Sequence, residues 1–176
     1  MKNYKSLSNM PKKVVGKPMK NTEEYVWDVY EETPLMPTYT VAFAVFVDHI
    51  SHTESFIDMD NITKNISAWI DDDIKNGREK IIANVNHTLK ISKFFEEYFQ
   101  KAIYPVGLPK TDNLETISNR YAAMENWGLI LYYKRKRDVN DSFSYFDHSI
   151  DSQGTIAHEL AHYYFGNPVT CKNWTE

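Results

Sequence analysis

Two histidines four residues apart carry the most chemistry in this sequence: His158-Glu159-Leu160-Ala161-His162. On a helix of about 3.6 residues per turn they fall about 40° apart, so both imidazoles leave one face. That spacing presents two nitrogen ligands to one Zn²⁺ at roughly 2.0–2.1 Å. Glu159 is turned by about 100° from His158, beside the ligand face rather than on it. A metal lowers the pKa of a coordinated water toward about 7, and a carboxylate placed there takes the proton and passes it on. The pattern is that of a zinc hydrolase helix, although pairs of solvated histidines on surface helices also produce it by chance.

The flanks favour a helix. Asp151 and Ser152 can cap its start, Ile156, Leu160 and Phe165 supply apolar positions, and Gly166-Asn167-Pro168 ends it. A zinc site takes at least three protein ligands, and this helix offers two. His49, His52, His87 and His148 stand at no spacing that announces a third, and His148 reads as a solvated loop residue. Downstream the one carboxylate is Glu176, the last residue. The expectation is a catalytic domain cut off inside its active site.

The elements that would position this helix are legible in outline. Glu24 to Tyr30 reads as extended, Pro34 and Pro37 break the chain, and the apolar run Tyr39 to Val47 reads as a strand buried on both faces. After a polar stretch over 48–64, a short strand is expected around Ile66 to Ile70. Asp71-Asp72-Asp73 reads as a solvated turn, because adjacent carboxylates point in different directions. A long amphipathic helix spans about Lys80 to Ile103, with Ile82, Val85, Leu89, Phe95, Phe99 and Ile103 as its core stripe. Strands follow near Leu114–Ile117 and Leu129–Tyr133.

With 176 residues and 42% hydrophobic content the chain can bury one real core. A net charge of −4 gives no basic footprint for nucleic acid. The one basic run, Lys134 to Arg137, reads as a solvated loop leaving a strand. No apolar stretch approaches the ~20 residues a membrane helix needs, and no signal-peptide core follows Met1. Cys171 stands alone and reads as a buried thiol. Five glycosylation sequons, at Asn61, Asn65, Asn86, Asn140 and Asn173, lean toward an extracellular or cell-surface protein over a cytoplasmic one.

Three segments, in this order, resemble the M1 zinc aminopeptidases, the group of aminopeptidase N. Ser8 to Pro11 and Glu31 to Tyr39 look like the last strands of that family's N-terminal β-domain. Ala122-Ala123-Met124-Glu125-Asn126-Trp127-Gly128 is similar to its exopeptidase signature, normally written GAMEN. His158 to His162, with Phe165-Gly166-Asn167 and Val169-Thr170, resembles its zinc helix. The resemblance implies an α+β chain, with the end of the N-terminal β-domain over 1–47. The first part of a thermolysin-like zinc peptidase domain would then cover 48–176. It also implies one Zn²⁺ held by His158 and His162, Glu159 as general base, and substrate binding by Ala122, Ala123, Met124, Glu125 and Asn126. Glu125 would bind the free α-ammonium of a peptide through a charge-assisted contact, so that one residue is removed at a time. The implied partners are peptides with a free N-terminus. Full-length relatives can be membrane-anchored and dimeric.

The chain departs from the family pattern in places. Ala122 replaces the first motif glycine, and Tyr163 and Tyr164 replace glutamine and tryptophan. Pro168 stands where leucine is common, and Lys172 and Asn173 replace glutamate and tryptophan. The family's third ligand, a glutamate, would fall at position 181, beyond Glu176. These departures leave open a catalytically inactive relative that binds peptides or partners. An endopeptidase with the same zinc helix is disfavoured by the Ala123 to Asn126 motif. Residues 1–176 alone are expected to bind zinc weakly and to show no turnover, with Trp127, Phe165 and Trp174 partly exposed.

Overall fold

Thr63 to Asp71, with Ile66, Trp69 and Ile70 among its residues, forms a largely buried strand (β6), the second in a five-stranded sheet. Around it a computed structural model describes residues 4–20, 24–104, 107–117, 122–134, 144–146 and 149–173. The expectations for residues 135–137, Asn140, His148, Trp174 and Glu176 lie outside these. β6 pairs antiparallel with His49–Ile57 (β5) and parallel with Lys110–Ile117 (β7). β7 pairs parallel with Leu129–Lys134 (β9), and the two-residue strand Ala123–Met124 (β8) closes the order β5-β6-β7-β9-β8 antiparallel to β9. The region 48–64, expected to be a polar stretch ahead of a strand, is therefore mostly β5. Its polar residues Ser51, Thr53 and Ser55 are exposed while Phe56 is buried, which suits a strand with one face in water.

Helix α1, Gly77–Phe99, crosses between β6 and β7 and packs on β5 and β6. Of the expected stripe, Val85 and Ile103 are in the core and Leu89, Phe95 and Phe99 pack against it, so the buried face differs at Ile82. Ile81 and Val85 are in the core, whereas Ile82 is exposed. Below them the helix presents Asn84, Thr88 and Ser92 to the sheet, all fully buried. Asn113 from β7 donates to Ser67 O and Thr88 Oγ1, and Tyr132 donates its hydroxyl to Asn113 Oδ1. Small polar side chains bring the helix close to the sheet: Thr88 donates to Asn84 O and Ser92 lies 3.5 Å from the Tyr104 hydroxyl, while the Asn84 side-chain amide is buried with no hydrogen-bond partner among the described residues. A count of apolar residues at helical spacing misses such a face.

The second helix, α2, spans Ile150–Ala161 and packs against α1 and β8. Its cap is Ser149, whose hydroxyl accepts from Ser152 N, two to three residues ahead of those expected to do so. Ile156 and Leu160 are fully buried, while Phe165 is exposed and meets Phe99 edge-on.

The N-terminal residues form two small antiparallel pairs: Lys5–Ser8 (β1) with Phe43–Phe46 (β4), and Lys12–Pro18 (β2) with Val26–Tyr30 (β3). The strand expected over Tyr39 to Val47 is shorter and not buried on both faces. A 3-10 turn takes Thr38–Thr40, and Phe43 and Val45 point outward from β4. Trp127 is buried rather than partly exposed, and Cys171 is exposed rather than buried. Asp71 to Asp73 are exposed, as a solvated turn requires.

Candidate active site

His158 sits in the last turn of α2 and His162 at its C-cap. Their Nε2 atoms lie 3.2 Å apart, with the rings edge to face. Two imidazole nitrogens on one tetrahedral zinc, each at roughly 2.0–2.1 Å, would be about 3.3–3.4 Å apart. The donor pair therefore fits a shared metal of that kind. Among the described residues no three His, Cys, Asp or Glu side chains gather as a complete metal site.

Glu159, turned about 100° round the helix from His158, is 4% exposed. One of its carboxylate oxygens is buried with no hydrogen-bond partner among the described residues. Burial, and then the charge of Glu125, push its pKa up to about 8. An unpaired carboxylate forced beside another one is a group arranged to trade protons or to face a cation.

Glu125 is delivered by β8, the edge of the main sheet, and follows its last residue directly. The chain then turns through Asn126-Trp127-Gly128 into β9, with Leu129 N donating to Asn126 O. Gly128 makes this turn with φ +78, and a Cβ there would meet Asn9 O at 2.1 Å. The turn brings the Glu125 carboxylate to 4.0 Å from His162 Nδ1. Of the other residues expected to touch substrate, Ala122 is exposed, Ala123 and Met124 are half-buried along the edge strand, and Asn126 is buried with its amide toward Tyr39 O.

Sequence reasoning missed the frame behind these groups. Asn9, 2% exposed, donates to Thr40 O and Trp127 O and accepts from Ala42 N. Lys110 bridges Ser8 O, Gly128 O and Asp112. The Tyr163 hydroxyl oxygen accepts from Gly128 N. Tyr39 donates toward Gly166 O and Asn167 Oδ1, and Asn167 donates to Glu125 O. Polar residues beside Pro or Gly in a loop were the available signal, and by itself it names no partner.

The match to known proteins follows the same lines. The description "Peptidase family M1 domain" fits residues 83–176. The chain is 33% identical over 175 residues to the thyrotropin-releasing hormone-degrading ectoenzyme of Rattus norvegicus, covering 98% of this chain and 15% of that protein. It is 35% identical over 178 residues to aminopeptidase Q of Felis catus, covering 98% of this chain and 16% of that protein. With aminopeptidase N of Bos taurus it shares 31% identity over 178 residues, covering 99% of this chain and 17% of that protein. The chain belongs to peptidase family M1. It spans about a sixth of the length of these curated relatives.

Proposed function

We propose that these residues belong to a zinc-dependent aminopeptidase, which releases N-terminal residues from peptides by water attack. The observation that supports this most is the meeting of the paired His158 and His162 Nε2 atoms with the Glu125 carboxylate beside the same His162 ring. His158 and His162 are two of the zinc ligands, and the third protein ligand is assigned outside the described residues. A bound zinc ion would lower the pKa of a water and polarise the scissile carbonyl.

The chain's own residues do the rest. The open edge of β8, Ala122 to Met124, offers main-chain groups to an extended peptide. Glu125 pairs with the peptide's α-ammonium, a contact that an internal peptide bond cannot make. That pairing also cancels the charge that helps to hold Glu159 protonated, and a cation at the imidazoles opposes the desolvation. Glu159 then takes the proton of the attacking water and returns it to the leaving amine.

Residues 1–47 are read as the closing strands of an N-terminal β-domain and 48–176 as the first part of a thermolysin-like domain. The separation of the β1-β4 and β2-β3 pairs from the five-stranded sheet supports this division. An extracellular or cell-surface location is supported by a relative named as an ectoenzyme and by exposed sequons at Asn61, Asn65, Asn86 and Asn173.

The test is Glu159→Gln in the whole protein. Hydrolysis of an aminoacyl chromogenic substrate is expected to fall by at least about 10²-fold, the usual scale for a general base, with zinc content unchanged. Loss of zinc together with activity would show that Glu159 is a ligand or structural, contrary to this reading.

A further inference from the structure

We propose that the Phe165-Gly166-Asn167 turn orients His162 for its role, and that Tyr39 holds this turn from the N-terminal segment. Gly166 and Tyr39 are then positioning residues. The inference rests on reading His162 as a metal ligand, and it begins at the other nitrogen of that ring. His162 Nδ1 lies 3.0 Å from Phe165 O. A carbonyl oxygen accepts only, so Nδ1 carries the proton and Nε2 is left with a lone pair toward His158. The nearby Glu125 carboxylate, 4.0 Å from the same Nδ1, favours that tautomer too.

Gly166 makes the approach possible. A Cβ there would sit 2.7 Å from His162 Nδ1, and the backbone has φ +113. Any side chain at 166 therefore displaces the imidazole or the Phe165 carbonyl. The Gly166 carbonyl accepts in turn from the Tyr39 and Thr170 hydroxyls, each at 2.7 Å. Tyr39 also lies 2.8 Å from Asn167 Oδ1, while the Asn167 amide donates to Glu125 O at 2.9 Å. One turn thus carries the orientation of His162 and the main chain of Glu125, and its anchor is a phenol 127 residues earlier in the chain. Groups that orient a metal-ligating histidine through its second nitrogen set affinity as well as geometry.

The whole protein supplies the test, in two measurements. Imidazole ¹⁵N shifts report the tautomer of neutral His162, expected as Nδ1–H; an Nε2–H form overturns the proposal. Zn²⁺ titration by calorimetry is expected to show an affinity about 10–100-fold weaker for Gly166→Ala than for the wild type. For Tyr39→Phe, which loses one hydroxyl, the expected loss is about 2–10-fold with an unchanged circular dichroism spectrum. If Gly166→Ala does not fold, Tyr39→Phe decides. Wild-type affinity and tautomer in Tyr39→Phe overturn the proposal. A whole wild-type protein that takes up no zinc while His162 stays Nδ1–H overturns the ligand reading instead, and leaves the orientation standing.

Discussion

At the scale of single residues, the site depends on groups that never face substrate. Asn9 uses both ends of its amide to tie Thr40, Ala42 and Trp127 together. Asn9→Ala leaves buried main-chain groups unmet, each worth about 1–3 kcal/mol. Chemical denaturation of the variant is expected to show a stability loss of at least that size. Gly128→Ala should cost at least about as much, because the new methyl meets the Asn9 backbone rather than a flexible side-chain end. A Gly128→Ala protein as stable as the wild type would mean that the turn after Glu125 is looser than its close contact implies.

Among the elements, α1 decides how the sheet is covered. Ile81 is 1% exposed and Ile82 38%, although they are neighbours in sequence. Ile81→Ala is expected to cost about 2–5 kcal/mol, as large-to-small changes in cores do. Ile82→Ala should stay within about 0.5 kcal/mol, as surface changes usually do. Thermal melts of the two variants check this, and equal losses would show that the helix is rotated from this register. For α2 the relevant change is Ser149→Ala, which removes the acceptor for Ser152 N. A loss of about 1 kcal/mol is expected.

For the whole molecule, the junction of the N-terminal strands is the acid-sensitive part. Asp28 on β3 accepts from Lys12, Ser6 and Gly16, which lie on β2, β1 and β2. The bond from Lys12 and then that from Ser6 hold its carboxyl at about 2, against an ordinary value of 3.8. A carboxylate with a depressed folded pKa contributes stability that is complete above its unfolded value. That contribution is lost as pH falls from about 4 through 2. The melting temperature should therefore drop over that interval, and Asp28→Asn should flatten the drop at the cost of lower stability at neutral pH. The same scale governs glycosylation. Secretion from a eukaryotic host should add glycosidase-removable mass at exposed sequons such as Asn61, and secreted material without any shift would argue for a cytoplasmic protein.

Local patterns by themselves determined the zinc-type helix, the long helix before it, the strands around Ile66, Leu114 and Leu129, and the motif around Glu125. Each is written in neighbouring residues: His158 and His162 share a face because 3.6 residues make a turn, whatever lies around them. The burial of Glu159 and Trp127 and the register of α1 were decided by tertiary packing. A helix period says which residues share a face and leaves open which face meets the sheet. Here Asn84, Thr88 and Ser92 took the buried side, with Thr88 meeting Asn113 and Ser92 facing Tyr104, contacts that exist only once helix and sheet are packed. Nor do local rules connect Tyr39 with Gly166, or Asn9 with Trp127. Those bonds join residues more than a hundred positions apart, and their partners exist only once the N-terminal strands have closed on the edge of the main sheet.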